Sequence, residues 1–333
     1  MHSAGIYDII FSIFLKEIII IMMYVLLIAG FVLLIKGADF FVEGSSSVAK
    51  KLSIPPLIIG MTIVAMGTSL PETSVSVTAS LAGANDLSIS NAVGSNIINL
   101  LVVAGICALF HPLPVQRDSI KRDFPFSIIA SAILLAFGFF TDNISRIAGA
   151  ALLLVFVVFM ISMVHNALMA RKSGIASAEG EEIKLLPGWQ CVIYIIGGII
   201  AIAAGGKMVV EGASDIAKSF GMSDNLIGMT IVALGTSLPE LVTSLVAAKK
   251  NETDMALGNV IGSNVFNILF VLGIAAVISP IAFTMQNCID TLFLIGTSLL
   301  VLVFCLPKKK IVRWHGLSMV ALYAGYTVYL FVR

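Results

Sequence analysis

A hexapeptide that could bind cations occurs twice in the chain. Gly-Thr-Ser-Leu-Pro-Glu stands at 67–72 and again at 235–240, each time inside a long apolar stretch. Proline lacks a backbone N–H and clashes with the carbonyl four residues earlier, so each copy should interrupt a helix and release carbonyl oxygens. Threonine, serine and glutamate spaced three or four residues apart share one helix face. Each copy therefore offers carboxylate, hydroxyl and carbonyl oxygens together.

The apolar stretch after each hexapeptide carries a second polar face. Asparagine, serine and asparagine recur there at every fourth residue, as Asn91, Ser95 and Asn99 and again as Asn259, Ser263 and Asn267. In the second stretch, Gly258 and Gly262 form a small-xxx-small pattern that lets helices approach closely. We expect this approach to bring the serine and asparagine side chains toward the glutamates.

The two glutamates, Glu72 and Glu240, have no basic partner within their apolar stretches. An ionised carboxylate at the bilayer centre costs at least about 2.5 kcal/mol, so bound cations or protons must balance the charge. Oxygen ligands without cysteine or histidine favour Na⁺ or Ca²⁺ over Zn²⁺ or Cu²⁺, and Mg²⁺ is less favoured because it retains its waters. One Ca²⁺ or two Na⁺ would neutralise two carboxylates, and a third Na⁺ would leave the site at +1. Competition between these ions for the same oxygens is what antiport requires.

The composition limits the class of protein. Of 333 residues, 59% are hydrophobic and 12% are charged, and the mean hydropathy is +1.05. A chain this apolar cannot cover a water-soluble surface of its size, so we expect a polytopic membrane protein and neither an enzyme nor catalytic residues. The net charge of +1 argues against nucleic-acid binding. No cofactor or protein partner is implied, and the expected partners are Ca²⁺, Na⁺ and the lipid bilayer.

Ten apolar stretches are long enough to cross a bilayer, which takes about 20 residues each. They lie near 18–43, 54–83, 88–110, 124–141, 146–169, 189–217, 225–248, 255–280, 287–306 and 314–332. Each must be a helix, because lipid does not tolerate unpaired backbone groups. The sequence therefore predicts an all-α polytopic membrane protein with ten transmembrane helices.

The basic residues predict the orientation of these helices. Loops after odd-numbered spans hold fourteen lysines and arginines, whereas the other side, with both termini, holds four. Because cytoplasmic loops are rich in basic residues, we expect both termini outside and the central loop in the cytoplasm. The membrane is expected to be the plasma membrane.

The two halves of the chain are related by a repeat. Residues 60–107 and 228–275 share 24 identities in 48 positions at an offset of 168. Since five spans form each half, the second half enters the membrane from the opposite side, which gives two inverted five-helix repeats. We expect an N-terminal repeat over 1–169, a cytoplasmic linker over 170–188 and a C-terminal repeat over 189–333. A duplication that only builds a symmetric scaffold is the alternative, but the polar segments are the ones that match best.

Charged residues elsewhere in the spans have simpler interpretations. Two groups of charged residues are spaced three or four residues apart, so each can pair along its own helix. They are Lys36, Asp39 and Glu43, and Lys207, Glu211 and Asp215. We expect local pairing or snorkelling for both groups. Asp86 and Asp254 stand at loop edges and are expected to be solvated.

The two copies of G-T-S-L-P-E, each followed by G-S-N-x-x-N, resemble the α-repeats of the Ca²⁺/cation antiporter superfamily and most of all its prokaryotic Na⁺/Ca²⁺ exchangers. The resemblance covers the ten-span chain. It implies a core of spans 2, 3, 7 and 8, across which a long tilted pair, spans 1 and 6, slides. It also implies electrogenic exchange of three Na⁺ for one Ca²⁺.

The resemblance implies a role for particular residues in binding ions. Glu72 and Glu240 would bind Ca²⁺ together with the backbone carbonyls of Thr68 and Thr236. Asn99 and Asn267 would line the central position between the glutamates. The Na⁺ sites would use the hydroxyls and carbonyls of a further six residues: Ser69, Ser95, Ser237, Ser263, Ala65 and Ala233.

Two features separate the alternatives within that superfamily. Several relatives, including the K⁺-dependent branch, carry Asp at the position of Asn267, so K⁺-independent transport is expected here. The H⁺/Ca²⁺ branch typically has G-N-x-x-E, which differs from this motif but leaves proton coupling open, because an isolated glutamate can carry a proton. A cation channel and exchange of another divalent ion are further alternatives.

Overall fold

The computed structural model describes residues 3–172, 185–223 and 227–332. Most of the predicted linker, residues 173–184, lies outside the described residues. The described chain is almost entirely helical, and the only β-structure within it is two ladders of two-residue strands.

The helices follow the apolar stretches. The α-helices are Ser3–Leu52, Pro56–Ile59, Ala65–Thr68, Leu70–Leu81, Asn85–Ile98, Ala104–Phe110, Phe124–Thr141, Arg146–Lys172, Gly188–Ser219, Ala233–Thr236, Leu238–Lys249, Thr253–Phe266, Leu272–Ile278, Met285–Lys308 and Arg313–Val332. Wider π-helical turns continue or precede them at Gly60–Val64, Asn99–Val103, Ser119–Asp123, Gly228–Val232 and Asn267–Val271.

These helices form ten spans. Among the described residues, eight helices are long and apolar enough to cross a membrane, and two bent pairs raise the number to ten. The bent pairs are span 2, with Pro56–Thr68 and Leu70–Leu81 at 48°, and span 7, with Thr230–Thr236 and Leu238–Lys249 at 52°. The remaining spans are, in chain order, Ile21–Leu52, Asn85–Phe110, Ser119–Thr141, Arg146–Lys172, Gly188–Ser219, Thr253–Ile278, Met285–Lys308 and Arg313–Val332. The prediction of ten transmembrane helices is confirmed.

The first helix is longer than its predicted span. It runs from Ser3 to Leu52, whereas the apolar stretch suggested 18–43. Hydropathy marks the residues that suit lipid, but a helix ends only where a breaker occurs, and the first proline of the chain is Pro55. Fifty residues at about 1.5 Å each reach well beyond a bilayer core of about 30 Å.

The two β-ladders show the inversion of the repeats. Leu113–Pro114 pairs with Lys310–Ile311, and Asn143–Ile144 pairs with Ile281–Ala282, both antiparallel. A shift of 168 residues converts Leu113–Pro114 into Ile281–Ala282, and a shift of 167 converts Asn143–Ile144 into Lys310–Ile311. The first joins loops that follow spans 3 and 9, and the second joins loops that follow spans 4 and 8. The same construction therefore stands at opposite ends of the molecule.

The core of the fold consists of the spans that carry the motifs. In spans 3 and 8, 72% and 78% of the apolar window is buried, against 22% and 28% in spans 1 and 6. Span 8 packs on span 2 through its glycines. A Cβ atom on Gly258 would lie 2.5 Å from the carbonyl oxygen of Leu57, and one on Gly262 would lie 2.6 Å from Cα of Met61. The predicted close approach at Gly258 and Gly262 is confirmed.

Candidate functional site

Both hexapeptides break their helix in the same way. The first helix of span 2 ends at Thr68, and Ser69 has φ −86° and ψ 14° before the second helix begins at Leu70. Span 7 repeats this at Ser237, with φ −90° and ψ 5°. Each proline stands in the first turn of the second helix, where its missing N–H costs nothing. The break places each glutamate in that first turn, where the helix dipole favours an anion.

The two glutamates, Glu72 and Glu240, are fully buried and are held by serines. Ser69 Oγ donates to Glu240 Oε1 at 2.9 Å, which links the two repeats, and Ser95 Oγ donates to Glu72 Oε1 at 3.5 Å within one repeat. The second carboxylate oxygen of both glutamates is buried without a hydrogen-bond partner, as is Ser263 Oγ. Within the described parts of the chain, no basic side chain forms an ion pair with either glutamate.

Buried polar oxygens without partners are costly, because native interiors satisfy nearly all such groups. Of the fourteen such side-chain atoms in the described residues, seven belong to the predicted ion-binding residues: Glu72 Oε2, Glu240 Oε2, Ser237 Oγ, Ser263 Oγ, Asn267 Oδ1 and both polar side-chain atoms of Asn99. These are hard oxygen donors in the main, the ligands that Na⁺ and Ca²⁺ prefer. The arrangement can therefore accept a cation at several adjoining positions.

Asn91 and Asn259 hold the broken helices in place. Asn91 Nδ2 donates to the carbonyl oxygen of Glu72 at 3.2 Å and to Ser76 Oγ at 3.0 Å. Asn259 Nδ2 makes the matching bonds to the carbonyl oxygen of Glu240 at 3.4 Å and to Ser244 Oγ at 2.9 Å. The sequence pattern placed both asparagines on the polar face but did not assign them this role. Ser76 and Ser244, each four residues after its glutamate, were the signal that could have revealed it.

A cluster of amides lies where the repeats meet. Asn96 Nδ2 donates to the carbonyl oxygen of Asn264 at 2.9 Å, and Asn264 Nδ2 returns a bond to the carbonyl oxygen of Asn96 at 3.2 Å. The pseudo-twofold axis passes between these two residues, which sequence analysis did not single out. Asn267 Nδ2 also donates to Asn96 Oδ1 at 3.1 Å, whereas both polar side-chain atoms of Asn99 lack a partner.

The structure buries most of the predicted ion-binding residues. Of the twelve, ten are buried: Ala65, Thr68, Ser69, Glu72, Ser95, Asn99, Ser237, Glu240, Ser263 and Asn267. Ala233 is exposed and Thr236 is half-buried. Span 2 is thus buried at Ala65, Gly67, Thr68 and Ser69, whereas span 7 is more exposed at the equivalent Ala233 and Thr236.

The packing of spans 3 and 8 explains this difference. Gly262 of span 8 is in tight contact with span 2, but an added Cβ on the equivalent Gly94 of span 3 would meet nothing within 4 Å. Thr68 Oγ1 likewise reaches across to Asn259 Oδ1 at 3.1 Å, whereas Thr236 Oγ1 contacts only a carbonyl of its own helix, that of Ala233, at 3.5 Å. The site is closed where span 2 begins, called here the Pro56 end. It is open where span 7 begins, the Ile227 end.

Two expectations about other charges are corrected by the structure. Lys207 and Glu211 pair along one helix at 3.7 Å as expected, but Asp39 and Glu43 instead face Lys250, in the turn after span 7. The helix pattern shows only which residues share a face and not what lies opposite.

Asp254 is the second correction, since it is half-buried and not fully solvated. Its Oδ2 accepts a hydrogen bond from Gln116 Nε2 at 2.5 Å. Gln116 belongs to the loop after span 3, so its position beside span 8 depends on the tertiary structure.

Comparison with known proteins decides the family. The family described as "Sodium/calcium exchanger protein" matches residues 22–164 and 191–332. The chain belongs to the sodium/calcium exchanger family. It is therefore a multi-pass membrane protein that exchanges cations, Ca²⁺ among them, and is not an enzyme.

Individual relatives of this exchanger cover nearly its whole length. It is 41% identical to the putative antiporter CaxA of Alkalimonas amylolytica over 87% of this chain and 93% of that protein. It is 32% identical to the sodium/calcium exchanger MaX1 of Methanosarcina acetivorans over 88% and 93%. The solved sodium–calcium exchanger NCX_Mj, soaked with 10 mM Na⁺ and 10 mM Sr²⁺, superposes with a TM-score of 0.79 at 34% identity, covering 92% of this chain and 97% of that one. The close match to NCX_Mj confirms the predicted fold of ten helices in two inverted repeats.

Proposed function

We propose that this exchanger is an electrogenic, K⁺-independent Na⁺/Ca²⁺ antiporter that uses the inward Na⁺ gradient to extrude Ca²⁺ across the plasma membrane. Glu72 and Glu240 bind Ca²⁺ with the carbonyls of Thr68 and Thr236, and Na⁺ occupies the neighbouring positions made by Ser69, Ser95, Ser237, Ser263 and the carbonyls of Ala65 and Ala233. Asn99 and Asn267 line the centre.

The observation that carries this proposal is the pair of buried carboxylates, each with an oxygen that lacks a hydrogen-bond partner. Each glutamate has one buried oxygen without a hydrogen-bond partner, and no ion pair to a basic side chain balances either charge among the described residues. Two negative charges in such surroundings need about two positive charges from bound ions. One Ca²⁺ satisfies this need as two Na⁺ do, and three Na⁺ for one Ca²⁺ would move one net charge per cycle.

The orientation forms part of the proposal. The basic residues assign the Pro56 end to the cytoplasm and the termini to the outside. In that orientation the open Ile227 end faces the outside, so the conformation described here loads and releases ions there. The similar structure of NCX_Mj comes from work on extracellular ion exchange, which agrees with this orientation.

The test is Ca²⁺ uptake into liposomes that contain the purified protein. Vesicles loaded with Na⁺ are diluted into Na⁺-free buffer with Ca²⁺ at equal pH and without K⁺. Uptake that needs the outward Na⁺ gradient, and that responds to a membrane potential set with an ionophore, is expected. Uptake without any counter-ion would indicate a channel, and uptake that requires K⁺ would refute the assignment of Asn267.

An H⁺/Ca²⁺ antiporter on the same scaffold is the second candidate. It is favoured by the 41% identity to a protein named as a putative antiporter, CaxA, and by carboxylates that protons as well as cations can neutralise. The same vesicles distinguish the two. Ca²⁺ uptake driven by a pH gradient in the absence of Na⁺ would replace the Na⁺-coupled assignment.

A further inference from the structure

Spans 1 and 6 pack against each other as one unit. Their glycines recur every seventh residue, at Gly30, Gly37 and Gly44 and at Gly198, Gly205 and Gly212. A Cβ on Gly205 would lie 2.6 Å from the amide nitrogen of Leu34, and one on Gly198 would lie 2.7 Å from Cβ of Phe41. Such close approach joins the two helices firmly, while their low burial shows that they lie at the edge of the core.

This helix pair lies against both breaks of the ion site. A Cβ on Gly67 would lie 2.8 Å from Cζ of Phe41 of span 1, and one on Gly235 would overlap Val210 of span 6. Gly67 and Gly235 are the first residues of the two hexapeptides. Any displacement of the pair relative to spans 2 and 7 therefore changes what covers the ion site.

A charged contact fixes this pair to the core at the Pro56 end. Lys250, in the turn between spans 7 and 8, has its Nζ atom 2.7 Å from Asp39 Oδ1 and 3.9 Å from Glu43 Oε2 of span 1. The same atom donates to the carbonyl oxygen of Asp39 at 3.2 Å. Asp39 and Glu43 are four residues apart, so one lysine reaches both.

The turn beside this lysine adds a second contact to the same helix. Burial raises the pKa of the Glu252 carboxyl, while a hydrogen bond from Ser46 of span 1 lowers it, and the charge of Asp254 raises it further. The charges of Lys250 and Lys50 lower the pKa of this carboxyl. Asp39, Glu43, Ser46 and Lys50 lie on one stripe of span 1, and that stripe faces the turn.

At the opposite end of the molecule, the described residues at the equivalent positions do not form this contact. The offset of 168 relates Asp39 to Lys207, Glu43 to Glu211 and Lys250 to Ala82. Because Ala82 carries no charge, Lys207 pairs with Glu211 along its own helix, and both side chains are more than half exposed. Two inverted repeats by themselves would give two conformations of similar energy, related by the pseudo-twofold axis. An interaction that forms in only one of these conformations favours it.

We propose that Lys250, held by Asp39 and Glu43, is an ionic latch that ties spans 1 and 6 to the core and favours the conformation closed at the Pro56 end. This rests on the proposed function, because the latch matters only if the protein alternates between two access states. The latched groups are about one-third exposed, so water screens the interaction. Its removal should shift the balance between the two states by about two- to fivefold.

Thiol accessibility tests the latch without measuring transport. Val64 and Val232 are equivalent in the two repeats, but Val64 is 0% exposed and Val232 is 42% exposed. Each is replaced by cysteine in separate proteins, and the rate of reaction with a charged methanethiosulfonate reagent is measured. The unsubstituted protein is the blank, since its four cysteines are buried. We expect the position-232 thiol to react faster, and Lys250→Met or Asp39→Asn to raise the ratio of the position-64 rate to the position-232 rate by two- to fivefold.

Three controls separate the latch from general loosening. Lys250→Arg retains the charge and should preserve the ratio of the parent. Lys249→Ala removes the exposed neighbouring charge, and Glu211→Gln removes the equivalent carboxylate of the other repeat, and neither should change the ratio. All variants must give a single symmetrical gel-filtration peak. If Lys250→Met does not fold by this criterion, Asp39→Asn alone is used to test the latch.

Two results would overturn the latch. One is an unchanged labelling ratio in both Lys250→Met and Asp39→Asn, and the other is an equal shift in Lys249→Ala. Failure of the proposed function has a different signature, because it appears as a lack of Na⁺-driven Ca²⁺ uptake by the parent whatever the labelling shows.

Discussion

The two hexapeptides have the same six residues but different surroundings. At the Pro56 end, Thr68 is bonded across the repeats to Asn259, and Gly262 presses span 8 against span 2. At the Ile227 end, Thr236 bonds only within its helix and Gly94 faces open space. Ser69 likewise donates to Glu240, whereas Ser237 Oγ has no partner and makes no matching bond to Glu72.

This contrast teaches that sequence symmetry in an inverted repeat is not conformational symmetry. Each of these three contacts of Thr68, Gly262 and Ser69 has a counterpart, at the offset of 168, that is absent in the other half. A protein that exchanged the two sets of contacts would close one end and open the other without needing any new residue. The following predictions test that comparison, in order of decreasing effect.

Substitution of either glutamate should have the same effect on Ca²⁺ uptake in the two halves. Glu72→Gln and Glu240→Gln each remove one negative charge from the site, and each should reduce Ca²⁺ uptake by about 100-fold or more, because even changes around metal ligands cost about 10–100-fold. Uptake into Na⁺-loaded liposomes is the measurement. Glu211→Gln is the matched control, and near-parental uptake in either site variant would reject the ion-binding assignment.

The glycines should show the greatest difference between the halves in stability. Gly262→Ala places a Cβ 2.6 Å from backbone atoms of span 2 and should destabilise the protein by about 1–3 kcal/mol. Gly94→Ala meets nothing within 4 Å and should leave stability unchanged, but it should slow transport if span 3 must close on span 7. Thermal unfolding in detergent and uptake rates check both statements. Equal destabilisation by the two substitutions would contradict the open crevice at Gly94.

The two central asparagines should respond differently to an added charge. Asn267→Asp replaces an amide that donates to Asn96 Oδ1 at 3.1 Å, so it adds a charge and sets two acceptors against each other. Asn99→Asp adds the charge alone, because its amide has no partner. We expect Asn267→Asp to change the KM for Ca²⁺ by about tenfold and to introduce dependence on K⁺ or pH. Identical transport by parent and Asn267→Asp across Na⁺, K⁺ and pH series would exclude a central role for this residue.

The hydroxyls of the two threonines should show the smallest difference. Thr68→Val removes the bond to Asn259 and leaves a buried amide oxygen without its donor, which should cost about 1 kcal/mol. Thr236→Val loses only a 3.5 Å contact in a half-buried position and should be nearly neutral. A lower unfolding temperature for Thr68→Val alone is expected. A fall of the same size in Thr236→Val would show that the two positions are equivalent after all.

Much of the site could be predicted from the sequence because its parts are local. Proline breaks its helix wherever it occurs, and spacings of three and four residues place side chains on one face in any helix. Both rules apply to Pro71 and Glu72 and to their counterparts in span 7, so the bends and the polar face were predictable. The roles of Asn91, Asn96 and Asn264 were not, because their partners lie on other helices.

The sequence by itself determined that the chain crosses the membrane ten times, that its halves are inverted copies, and that two unpaired glutamates lie in the most similar segments. These conclusions follow from hydropathy, parity and identity along the chain. Only the tertiary structure decided which end of the site is closed, that Lys250 faces Asp39, and that the first helix extends to Ser3. Two copies of the same hexapeptide have the same local preferences, so the sequence alone does not distinguish them. In the tertiary structure, span 2 packs tightly against span 8, whereas the equivalent glycine of span 3 makes no such contact.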